Sequence, residues 1–148
     1  MTIWFDMDGT IADLYAVDGW LDALRAYSPR PYMMATPMVN MSVLARRLNQ
    51  LQRKGIRLGI ISWLSKESTP DYDALVTDAK MHWLHKHLPS VNWDEMEIVP
   101  YGTNKYCQCG SNITDILFDD DNRNREAWEG NSFDPSEIMT VLKMLASL

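Results

Sequence analysis

Cysteine is scarce in this chain of 148 residues: only Cys107 and Cys109 occur, and Cys-x-Cys has the spacing of neither a four-ligand zinc site nor a disulfide framework. Both thiols are expected to be reduced and unpaired. Long apolar runs are missing too, and no basic segment followed by an apolar core opens the sequence. Neither a membrane span nor a secretion signal is therefore expected; the expected location is cytoplasmic, with no membrane partner. Positive charge is in the minority, 14 Lys and Arg against 20 Asp and Glu, for a net charge of -6. Polynucleotide backbones are held by clustered cations that release counterions, so extended nucleic-acid binding is disfavoured and a small or peptide substrate fits better. Part of the negative excess is local, in Asp6, Asp8 and the run Asp119-Asp120-Asp121. No internal repeat, low-complexity tract or domain linker interrupts the chain.

What is present is the balance of a globular domain, 46% apolar and 23% charged residues, at a length that buries one core and not two. Ile3-Trp4-Phe5 reads as a short buried strand. Leu14, Val17, Leu21 and Leu24 share a helical face that Asp18-Gly19 interrupts, which predicts a helix from about Gly19 to Tyr27. Ser28 to Pro37 contains three prolines and is expected to be a surface loop. Thr36-Pro37 reads as the N-cap and first position of a helix whose buried face is Met41, Leu44, Ala45, Leu48 and Leu51, closed by Gly55. A strand over Ile56 to Ile61 follows, and a helix between two apolar strands is the crossover of a parallel sheet.

Ser68 or Thr69 with Pro70 starts the next helix, with Tyr72, Leu75, Val76, Ala79 and Trp83 inward and Pro89 closing it. His82, His85 and His87 near its end read as a solvated face rather than a zinc site. Glu97 to Pro100 and Asp115 to Phe118 read as two further strands. A short helix over Arg123 to Trp128, a turn at Gly130-Asn131-Ser132 and a helix capped by Asp134-Pro135-Ser136-Glu137 complete the order. Ile138, Val141, Leu142 and Leu145 form that last helix's inner face. The pattern is a doubly wound α/β sheet flanked by helices.

The chemistry gathers at strand ends. Asp6 and Asp8 follow the first strand in Asp6-Met7-Asp8-Gly9-Thr10, and two carboxylates this close need a cation or a shared proton between them. A divalent, oxygen-preferring cation is the simplest answer. Ser62 follows the second strand, Lys105 the third, and Asp119-Asp120-Asp121 the fourth. Acid pair, hydroxyl, lysine, acid pair is the motif order of the haloacid dehalogenase (HAD) superfamily, which this chain resembles along nearly its whole length. The opening motif and Leu117-Phe118-Asp119-Asp120-Asp121-Asn122 are similar to 5'(3')-deoxyribonucleotidase-like members.

That resemblance implies a HAD-like (Rossmannoid) fold with a minimal cap: a single hydrolase domain over residues 1–148 with a small cap-like insert around 12–37. It implies a Mg2+-dependent phosphomonoester hydrolase working through an aspartyl phosphate, possessing Asp6 as nucleophile and Asp8 as general acid and base. Lys105 would supply positive charge and Ser62 a hydrogen bond at the phosphate. Asp6, Asp8 through its backbone carbonyl, and Asp119 or Asp120 would hold the metal if Phe118 ends the strand, leaving Asp121 as a helix N-cap; if the strand ends one residue later the pair would be Asp120-Asp121. Lys66 is a rival of Lys105. Thr10, Arg30 and Tyr32, with Met33 and Met34, are the expected substrate contacts. The substrate would be a small phosphate ester such as a nucleoside monophosphate. A polynucleotide end, a phosphopeptide, or a non-catalytic binding role are the alternatives. A homodimer that closes the thin cap is a further expectation, although core packing explains the 6 tryptophans and 10 methionines more cheaply.

Overall fold

The computed structural model describes residues 1–148. β1 (Thr2–Phe5) is the central strand of a five-stranded sheet. The chain leaves it for an insert made of β2 (Ala12–Asp13), α1 (Trp20–Arg25), α2 (Arg30–Met34) and β3 (Thr36–Pro37). It returns through α3 (Met41–Arg53) to β4 (Arg57–Trp63), then α4 (Pro70–His87) and β5 (Glu95–Val99). A short α5 (Lys105–Gln108) leads to β6 (Ile116–Phe118), α6 (Asn122–Ala127), β7 (Asn131–Phe133) and α7 (Ile138–Ala146). The sheet order is β5-β4-β1-β6-β7, with every pair parallel. Connections run outward from β1 on one side and then on the other, so a crevice opens between the carboxyl ends of β1 and β6, where such sheets bind ligands.

Alternation along the strands fills both faces. Ile3, Phe5, Leu58, Ile60, Ile116 and Phe118 pack with Leu44, Leu48 and Leu51 of α3 and Ile138 and Leu142 of α7. Phe5 stacks on Phe118 at 5.2 Å. On the opposite face Trp4 joins Ile61, Val99, Leu117 and Trp128. Trp4 lies so close over Gly59 that no side chain would fit there. No helix is long and apolar enough to cross a membrane.

Several local expectations are corrected. The proline-containing loop holds α2, because Pro31 stands in the first helical turn, where a missing amide hydrogen costs nothing. Thr36-Pro37 is not a helix start: it pairs antiparallel with Ala12-Asp13 as the stem of the insert, and α3 is capped instead by Asn40, whose side chain accepts from the Val43 amide. Leu75 is exposed rather than inward. Asn131 to Phe133 is an edge strand on β6 and not a turn. Thr69 caps α4, Asp121 caps α6, and Asp134 caps the turn before α7, each accepting from a backbone amide ahead of it.

Candidate active site

Beyond β1 the chain turns tightly: the Met7 carbonyl accepts from the amides of Thr10, Ile11 and Ala12, and Gly9 takes a φ of 78°. Met7 enters the core, and Asp6 and Asp8 line one cleft. A Cβ on Gly9 would strike the Asp120 carboxylate and the Tyr15 ring. Gly9→Ala is therefore expected to displace Asp120 and weaken divalent-cation binding at least about 10-fold, read by calorimetric titration. An unchanged affinity would show that Asp120 has no part in it.

Lys105 opens α5, where Asn104 caps the helix and points the lysine inward. Its ammonium donates to Asp6 Oδ1 at 3.0 Å and to Asp119 Oδ2 at 2.6 Å, all three groups being buried. Burial alone would lower the lysine's pKa, but Asp6 and Asp119 outweigh it and hold the charge on. Asp6 Oδ2 accepts from the Thr10 hydroxyl at 3.0 Å, so both carboxylate oxygens are fixed. Asp119 is fixed too, by the Asp121 amide on Oδ1 and by Asn124 as well as Lys105 on Oδ2. Asp121 is drawn aside, capping α6 and pairing with Arg123 at 2.7 Å.

Carboxylate oxygens of Asp6, Asp119 and Asp120 lie within 4.8 Å of one another. Desolvation, with Asp6 adding repulsion, pushes Asp119 up to about 6 and Asp120 up to about 8. Asp8 is also raised, by burial first and Asp6 besides, with Lys80 opposing. Once ionised, the four carboxylates against two ammonium groups would leave an excess of two negative charges, which is why protons are held there, and all the crowded donors are hard oxygens. The set fits a hard divalent cation, which Asp6, Asp119 and Asp120 would hold. Because protons compete for those oxygens, the rise in melting temperature that Mg2+ produces is expected to grow from about pH 5 to about pH 8.5. A rise independent of pH would place the ion elsewhere.

The cleft has a volume of about 610 Å³. Its floor is Asp6, Asp8, Lys105, Asp119 and Asp120. The insert lines it with Tyr15, Trp20 and Tyr27; Trp63 and Tyr101, with ring centroids 4.9 Å apart, line it too, as do Arg25, Lys66 and Arg123. Of the expected contacts, Tyr32 lines the cleft with its hydroxyl 2.6 Å from Ser65 Oγ. Arg30 does not: it borders a separate depression with Asp13 and Thr36. Met33 and Met34 are exposed outside the cleft. Thr10 and Ser62 are fully buried beneath the floor, Thr10 bracing Asp6 and accepting from the Asp120 amide, Ser62 accepting from Lys80. Lys66 sits 5.9 Å from the Tyr101 ring centroid, far in role from the buried Lys105. His82 and His85 are exposed, and His87 packs on Trp83.

Lys80 was not expected here. The signal was present, since 72, 76, 80 and 84 form one row of α4, and Tyr72, Val76 and Leu84 in that row are buried. A lysine in such a row is buried only with a partner.

No protein-family profile matches the chain, and no curated protein does. Among solved structures, a similar one is the D,D-heptose 1,7-bisphosphate phosphatase from Burkholderia thailandensis, with a TM-score of 0.51 and 14% identity over 85% of this chain and 70% of that one. A likeness at that identity is one of architecture: the doubly wound parallel α/β sheet flanked by helices that this chain shares with that phosphatase.

Proposed function

We propose that the chain is a Mg2+-dependent phosphomonoester hydrolase whose substrate is small and carries a planar group, such as a nucleoside monophosphate. The observation that carries this reading is Lys105 bridging Asp6 and Asp119 at the base of an acid cluster on the cleft floor. Asp6 attacks phosphorus and forms an aspartyl phosphate, and the ester bond breaks with its electron pair on the leaving oxygen. That oxygen takes the proton of Asp8, whose raised pKa suits an acid, and Asp8 then accepts a proton from the water that attacks the phosphorus of the intermediate. Water's oxygen leaves in the phosphate and Asp6 is restored. Lys105 offsets charge gathering on the phosphoryl oxygens. Mg2+, when bound, would cancel the repulsion between phosphate and carboxylates.

The aromatic lining supports a flat leaving group, since Tyr15, Trp20, Trp63 and Tyr101 all border one cleft. A panel of phosphate esters assayed with and without Mg2+ tests the reading. Hydrolysis of nucleoside monophosphates above sugar phosphates is expected. Preference for a phosphorylated oligonucleotide end or a phosphopeptide would replace the substrate class, and Mg2+ binding with no hydrolysis would leave a binding module.

A further inference from the structure

Asp8's carboxylate has one hydrogen-bond partner in the protein, Lys80, which donates to Oδ2 at 2.9 Å. The same ammonium donates to Ser62 Oγ at 2.6 Å and to the Trp63 carbonyl at 2.7 Å, so its three hydrogens are all used. Only 1% of the Lys80 side chain is exposed, and the Tyr32 ring lies over it with its centroid 5.1 Å from Nζ. Two of these partners belong to the end of β4, an interior strand paired on both sides, and the third is the acid on the cleft floor. A buried ion pair adds little net stability over an apolar side chain of the same volume. In a helix row otherwise filled by Tyr72, Val76 and Leu84, leucine would serve packing as well.

We propose that Lys80 is the positioning residue for Asp8: seated on Ser62 and the Trp63 carbonyl, it clamps one oxygen of the carboxylate and leaves the other to meet the leaving group. Ser62 thereby acts on the reaction through Lys80, as its seat. The inference rests on the hydrolase reading for its consequence in catalysis. Without the ammonium, the Asp8 side chain is free to rotate away and the Ser62 hydroxyl is free to turn toward it. Proton delivery to the leaving oxygen suffers, while attack by Asp6 does not.

The test compares Lys80→Met with the wild type on two Mg2+-dependent substrates. An aryl ester, p-nitrophenyl phosphate, releases a phenolate that needs no proton, and a nucleoside 5'-monophosphate releases an alkoxide that does. Lys80→Met is expected to lower kcat by about 100-fold or more on the alkyl ester and by less than about 10-fold on the aryl one, with KM little changed. Equal losses on both, or none, would overturn the proposal. Ser62→Ala keeps every charge and serves if Lys80→Met does not fold. A smaller loss of the same leaving-group selectivity is expected, whereas equal losses with raised KM would make Ser62 a direct phosphate ligand and overturn its part. A crystal structure of Lys80→Met separates this inference from the hydrolase reading. If the wild type cleaves neither ester, the hydrolase reading fails, yet an Asp8 side chain displaced in the variant still supports the clamp, and an unmoved one refutes it.

Discussion

Asp6→Asn is expected to abolish turnover while leaving the protein folded and no less stable. An amide nitrogen and oxygen are poor nucleophiles at phosphorus, so no aspartyl phosphate forms and its hydrolysis cannot follow. Loss of the nucleophile in such a site costs on the order of 10,000-fold or more, since residual activity depends on positioning alone. Stability should respond the other way. Asp6 contributes repulsion that raises Asp119 and Asp120, and Lys105 keeps Asp119 as a partner after the substitution. An equal or higher melting temperature with no phosphate release is the expected pair of results. Undiminished activity would remove Asp6 from the mechanism.

Lys105→Met is expected to be the most destabilising change in the site. The lysine is buried with two carboxylates on it, and removal leaves Asp6 and Asp119 uncompensated in a dry environment. Breaking a buried pair from one side costs about 3–5 kcal/mol. The cost depends on pH in a definite direction. Asp119 is already raised to about 6 with the lysine present, and without the lysine, which holds it down, its folded-state pKa rises further. A raised carboxyl pKa means that the folded state binds more protons than the unfolded one between the two pKa values, so stability falls as pH rises through that window. Urea unfolding without Mg2+ should therefore show a larger deficit at about pH 8 than at about pH 5. A deficit under about 1 kcal/mol at both would mean that the lysine does not compensate these acids.

Much of this arrangement was legible in the residues. Ile3-Trp4-Phe5, Ile56 to Ile61 and Ile116-Leu117-Phe118 are apolar runs with polar ends, and a parallel sheet brings those ends to one edge whatever the loops do. N-caps at Thr69, Asp121 and Asp134 were legible because a short oxygen side chain just before a helix has one common use. The misreadings have particular causes. Pro31 was counted against a helix although the first turn tolerates it, and Thr36-Pro37 carries a helix-start signature that a two-residue pairing with Ala12-Asp13 overrides. Lys80 was hidden because charge marks solvent in a helical pattern, unless the partner is known to stand 72 positions earlier in the chain, at Asp8. Likewise, nothing local says that Tyr15 and Trp20 from the insert line the same cleft as Trp63 and Tyr101.

Ser62 and Thr10 illustrate a different limit. Their place in the chain put them among the expected substrate contacts, and the fold does bring them to the floor, but beneath it, where each hydroxyl braces an acidic group or its lysine. Sequence order assigns a residue to a site; only side-chain packing decides whether it faces substrate or supports what does.

Covalent capture of the phosphoryl group is the most direct measurement. The protein would be mixed with Mg2+ and a cleaved ester, quenched in acid within the first turnover, digested and weighed peptide by peptide. The peptide containing Asp6 should gain the mass of one phosphoryl group, and Asp6→Asn should gain none. Hydrolysis of the ester with no label on Asp6 at any quench time, under conditions that preserve acyl phosphates, would contradict the account.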